Sequence, residues 1–123
     1  MDGVGDLLYL PNDGWCVLAN VFPTTILLYR IDDHVEIIAN RKHLKHAYFK
    51  ERTPQKVRCN RFNTTMGDTV FYATGGEYPS ISKGVIRSAI YIDGNREKVN
   101  LVDSRRPLEE TSVNMGLVWK YAL

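Results

Sequence analysis

Few side chains in this sequence have the types and spacing that bond-making chemistry requires. Cys16 follows Trp15 on an apolar run with no base beside it, and Cys59 lies downstream of His43 and His46 without a nucleophile elbow or a Gly-rich oxyanion segment. Two thiols so far apart, without metal-ligand spacing, support neither a disulfide framework nor a zinc site. The pair Asp32-Asp33 lacks the further oxygen ligands that a hard cation demands. Phosphate-cradling glycine loops, zinc helices and calcium loops are missing from the sequence. The expectation is a protein that binds and does not catalyse, with no cofactor and no metal.

Charge supplies the first positive signal. Sixteen Lys and Arg against fourteen Asp and Glu leave a net charge of +2, yet residues Asn40 to Arg61 hold eight of the basic residues and a single acid, Glu51. In that stretch Arg41, Lys42, Lys45, Lys50 and Arg52 interleave with Tyr48 and Phe49, combining phosphate neutralisation with stacking platforms. RNA or DNA is thus one class of partner. The same composition also suits a solvated connector.

These residues need a frame, and 123 residues allow one ordinary domain or two very small ones. With 44% hydrophobic and 24% charged residues the chain is expected to bury a core. No apolar run is long enough to span a bilayer, and Met1-Asp2-Gly3 has neither the basic flank nor the apolar stretch of a signal peptide. An intracellular protein without membrane contact, nuclear or in a cytoplasmic ribonucleoprotein granule, is expected, and Asn63-Thr64-Thr65 is read as a chance glycosylation match. Strand signals dominate. Leu7 to Leu10, Trp15 to Phe22, Thr25 to Ile31, Val35 to Ala39, Thr69 to Tyr72, Tyr78 to Ser82, Val85 to Ile92 and Lys98 to Val102 are short and rich in β-branched or aromatic residues. Turn residues bound them, among them Lys83-Gly84 and Asp93-Gly94-Asn95. Helix candidates are confined to Arg41 to Lys50 and Leu108 to Lys120.

An internal repeat organises the strands. Gly5-Asp6 recurs as Gly67-Asp68 and Tyr29 as Tyr91, both at an offset of 62, while Val35 to Leu44 aligns with Val99 to Leu108 at an offset of 64. The expected architecture is all-β, two tandem SH3-like barrels, because so few strands hide their edges only by curling. The boundaries fall at 1–50 for the first barrel, 51–61 for a basic connector and 62–123 for the second barrel with a short helical or extended C-terminal segment. Trp119 is placed in the core of that segment.

In the second copy, Gly67-Asp68-Thr-Val-Phe-Tyr72, then Tyr78-Pro79-Ser80-Ile81, then Tyr91-Ile92-Asp93-Gly94-Asn95-Arg96-Glu97 and Asn100-Leu101-Val102-Asp103 resemble the Tudor domain family. Two linked copies resemble tandem Tudor proteins. The resemblance implies binding of a methylated lysine or arginine in a partner peptide, from a histone or a ribonucleoprotein component, through an aromatic cage. A methylated cation is bulky and weakly hydrated, and aromatic faces attract it through their quadrupole. Carried across position by position, Tyr72, Tyr78 and Tyr91 match cage aromatics and Asn95 the turn asparagine. Asp93 or Gly94 stands where the family has a further aromatic, and the Asp93 carboxylate would pair with an N-H-bearing ammonium. A second cage, in the first copy, would use Tyr9, Trp15, Tyr29 and Asp32. A monomer or weak dimer is expected, and nucleic-acid binding by an SH3-like or PUA-like barrel is the competing function.

Overall fold

The computed structural model describes residues 3–46, 53–75 and 79–122, without the side chains of 44–46. Tyr78 of the expected cage and Tyr48, Lys50 and Arg52 of the basic stretch lie outside the described residues, as does the Lys45 side chain. The fold is all-β. Strands β1 (Leu7–Leu10), β2 (Gly14–Val21), β3 (Thr25–Arg30) and β4 (Glu36–Asn40) form an antiparallel sheet in chain order. The remaining strands are β5 (Gln55–Arg58), β6 (Thr69–Thr74), β7 (Ser80–Ile86), β8 (Tyr91–Asp93), β9 (Arg96–Asp103), β10 (Glu110–Asn114) and β11 (Val118–Ala122). They make a second sheet in the order β10-β9-β7-β6-β11-β5, with β8 paired to β9. Among the described residues no helix is long and apolar enough to cross a membrane.

Both helix candidates are corrected. Arg41–His46 forms a 3-10 turn, and the segment from Leu108 to Lys120 becomes β10, a 3-10 turn at Met115–Leu117 and the start of β11. Thr111, Val113 and Val118 favour extended backbone, and Val118 reaches the core as a strand residue. The expected connector is corrected as well. The chain divides into one compact unit of Met1–Gln55, Thr74–Ile81 and Leu123 and another of Lys56–Ala73 and Ser82–Ala122. Residues Gln55–Arg58 of the expected connector form β5, a strand of the second sheet.

In the first unit, alternation aims Leu8, Leu10, Cys16, Leu18, Ile26 and Leu28 at one core, with Val21, Ile37 and Ala39 against it. The opposite face buries Val17, Ala19, Leu27 and Tyr29. Each of the larger side chains contributes about 1.5 to 3 kcal/mol relative to exposure. In the second unit the core comprises Cys59, Val70, Tyr72, Ile86, Val99, Leu101, Met115 and Val118.

The sequence pair Lys83-Gly84 is not a turn, because β7 runs straight through it. A Cβ on Gly84 would sit 2.7 Å from Leu101 Cδ1 and 3.1 Å from the Val102 carbonyl oxygen. Glycine is there so that β7 can approach β9 closely. Gly94 does mark a turn: Asp93 pairs with Arg96 across a two-residue loop, and its φ of 65° is the left-handed value a tight hairpin requires at that position.

The repeat is real at its beginning and mis-registered beyond it. Gly5 N-H donates to the Leu18 carbonyl (2.8 Å), Leu18 N-H to the Asp6 carbonyl (2.9 Å), and Gly3 N-H to Asp6 Oδ2 (2.7 Å). Gly67, Ile86, Asp68 and Thr65 repeat that pattern at 2.8, 2.9 and 2.9 Å. Both glycines carry a left-handed φ, 98° and 96°. After this shared lock, Leu18 pairs with Leu28 but Ile86 with Leu101. The counterpart of β3 is thus β9 and that of β4 is β10, while β8 is an added hairpin arm. Tyr29 and Tyr91 are not equivalent, nor are the segments beginning at Val35 and Val99.

Candidate functional site

Strand β9 decides the fate of the expected cage. Its odd residues Val99, Leu101 and Asp103 are buried, whereas Lys98, Asn100 and Val102 are half-buried on the other face. The Tyr72 hydroxyl donates to the Asp103 carboxylate on the buried face. The Tyr91 hydroxyl donates to Asn100 Oδ1 at 2.7 Å and lies 2.6 Å from Ser112 Oγ, whose hydroxyl is left to donate to it. Asn100 and Ser112 are cross-strand partners. Residues of opposite parity point to opposite faces of a strand. Tyr72 and Tyr91 thus give their hydroxyls to different partners: Tyr72 lines the cavity described below, whereas Tyr91 borders it only through Ser112. Asp93 directs its carboxylate to Lys98 Nζ at 3.3 Å, and Asn95 is exposed in the hairpin loop.

The first unit brings part of its set together. Tyr9 and Trp15 are cross-strand partners in an edge-to-face contact, centroids 5.5 Å apart at 71°. Tyr29 shares their sheet face but is only 1% exposed, so its ring is closed to a ligand. Asp32 is exposed in the turn after β3, and Arg41 and Lys42 are exposed in the 3-10 turn after β4. The neighbouring Asp33 is held below the usual carboxylate range by the Arg30 guanidinium, which donates to both its oxygens at 2.8 Å.

Neither thiol is activated. Burial pushes the Cys16 thiol up to about 12, with the Asp13 charge adding to the effect, and burial likewise raises Cys59. Among the described residues no cluster of His, Cys, Asp and Glu is placed to hold a metal ion.

A different constellation lies in the second unit. Lys56 and Arg58, two apart on the edge strand β5, are both exposed and project to the same side. With Lys98 and its cross-strand partner Asn114 they line a cavity of about 470 Å³, together with Ser112, Leu117 and Trp119. The Lys56 ammonium stands 3.9 Å from the centroid of the Trp119 ring, a cation-π contact. No carboxylate is among the described residues that line it. An adjoining cavity of about 510 Å³ shares Arg58, Asn114 and Leu117 and adds Arg96 and Glu97. Nearby in sequence, Phe62 is 85% exposed with the Arg61 guanidinium 5.1 Å from its ring centroid.

The basic stretch contains Lys56, Arg58 and Arg61, but sequence reasoning singled out its earlier members instead. The alternation Gln55-Lys56-Val57-Arg58 was the available signal for a one-sided basic strand. Lys98, Asn114 and Trp119 had none, since only pairing across the sheet brings them to β5. Comparison with protein-family models, with curated proteins and with solved structures finds no match for this chain.

Proposed function

We propose that the protein is a non-enzymatic nucleic-acid-binding module whose contact surface is the basic cavity of the second unit. One observation carries this reading: Lys56, Arg58 and Lys98 border a single concavity whose described lining holds an aromatic wall and no carboxylate. Each cation there favours an anion and opposes a second cation. At 4 Å and surface-like screening one such pair is worth about 4 kcal/mol before desolvation is counted. A methylated lysine or arginine would meet like charge there, beginning with the Lys56 ammonium over Trp119. Phosphates of a nucleic-acid backbone fit the charge, and bases fit the aromatic and apolar walls. The strand order supports an SH3-like reading of this unit, with β6, β7, β9 and β10 in meander and β11 returning to pair with β6 after a 3-10 turn.

The test is fluorescence anisotropy of a labelled oligonucleotide across a potassium chloride series. Wild-type protein is expected to show a steep log-log salt slope, since phosphate contacts release counterions, and Lys56→Gln/Arg58→Gln/Lys98→Gln should flatten it by about 2. Binding of a methylated peptide in preference to its unmodified twin, with no oligonucleotide binding, would overturn the proposal.

A further inference from the structure

Resting on the nucleic-acid reading above, we infer that the cavity takes one unpaired base of a single strand, with Lys56 as a displaceable placeholder on Trp119 and Asn114 as the reader of the base edge. Three observations lead there. The cavity volume of about 470 Å³ lies within the range of pockets that hold small ligands, and a paired base cannot enter such a concavity without leaving its stack. The Trp119 ring offers a π-face whose present occupant is the ammonium of the exposed Lys56. That lysine can move from the ring to a flanking phosphate and leave the face to a base.

The third observation is Asn114. It stands where asparagine normally caps a helix, ahead of the Met115–Leu117 turn, yet its side chain makes no capping hydrogen bond. It is instead a wall of both adjoining cavities. A carboxamide presents a donor and an acceptor side by side, the pattern that matches the edge of a base. Ser112, fixed by the Tyr91 hydroxyl, stands two residues away on the same face of β10. Arg58, shared by both cavities, and Arg96 beyond it offer two further cations for a second nucleotide, against one carboxylate, Glu97, in the second cavity.

The experiment uses the intrinsic fluorescence of Trp119, isolated by Trp15→Phe because the chain has only two tryptophans. Single-stranded homo-oligonucleotides, the matching duplex and inorganic polyphosphate are titrated at one low salt concentration. Single strands should change Trp119 emission saturably and bind about tenfold or more tighter than duplex or polyphosphate, which should leave emission unchanged. Asn114→Ala should shrink the affinity differences among homo-oligonucleotides to within about twofold while the salt slope stays the same. If Trp15→Phe lowers the melting temperature, the same signal is read as the emission change that Trp119→Phe removes from the wild type. Equal binding by duplex and polyphosphate, or single-strand binding with silent Trp119, overturns the base-pocket inference and leaves backbone binding standing. Failure of every oligonucleotide to bind overturns both.

Discussion

The two units begin alike and end differently. In each, a left-handed glycine and an aspartate pin the entry of the first strand to the second, through Gly5 and Asp6 in one and Gly67 and Asp68 in the other. The sheet of the first unit is a four-stranded meander. In the second, β11 returns to β6, and its Lys120 ammonium closes the lock by donating to Asp68 Oδ2 at 2.9 Å and to the Asn63 carbonyl at 2.7 Å. Charge diverges with topology. The second unit carries ten Lys and Arg against six Asp and Glu, the first six against eight. Shared residues build the frame, and the candidate site is assembled mostly from what the second unit adds, namely β5, the turn before β11, and Trp119.

The largest expected effect separates the units by charge. Neutralising Lys56, Arg58 and Lys98 together should weaken oligonucleotide binding at low salt by a hundredfold or more, at roughly 1 kcal/mol per charge-assisted contact. Neutralising Arg41 and Lys42 of the first unit should change it by less than about threefold. Equal losses from the two sets would erase the functional distinction between the units.

Next in size are two backbone tests read by chemical denaturation. Gly84→Ala should cost about 1 to 3 kcal/mol, since the new methyl meets Leu101 and the Val102 carbonyl below van der Waals distance. Gly5→Ala and Gly67→Ala should each cost about 1 to 2 kcal/mol, because both positions demand a left-handed φ and no other described atom comes within 4 Å of the methyl. Similar costs would support the shared lock. A neutral Gly67→Ala would break it.

The acid limb of stability sharpens the same comparison. Asp68 is held below its ordinary 3.8 by the Thr65 N-H first and by Lys120 second. Its contribution is therefore present above the unfolded pKa and lost as pH falls through the lower folded value. Asp68→Asn should flatten the stability-pH curve below about pH 4.

The smallest effect discriminates between ligands. Asp93 competes with phosphate for Lys98, so Asp93→Asn should tighten oligonucleotide binding about two- to fivefold at low salt, as expected for a screened surface pair. A cage that used the Asp93 carboxylate would instead lose affinity for its cation. The sign decides.

Much of this frame was legible in the sequence because strand alternation is local. The spans of β1 and β3 and the Asp93-Gly94-Asn95 turn follow from residue types within a few positions. What was not legible depends on distant partners. Gly84 reads as a turn residue until Leu101 is seen against it. Tyr29 and Tyr91 look equivalent until β7 is seen to pair with β9 past the β8 arm. The strand-end position of Tyr72 gives no hint of Asp103, which captures its hydroxyl. Trp119 reads as a core residue of the C-terminal segment and is 6% exposed, but its ring also borders the cavity under Lys56.

The most direct measurement is an amide chemical-shift map of the whole chain during titration with a single-stranded oligonucleotide. Shifts should concentrate on Lys56 to Arg58, Arg96 to Lys98 and Ser112 to Trp119, with the first unit unchanged beyond noise. Shifts centred instead on Tyr9, Trp15 and the Asp32 turn, or a silent spectrum with oligonucleotide and a responsive Tyr91 to Asn95 hairpin with methylated peptide, would contradict a basic nucleic-acid site in the second unit.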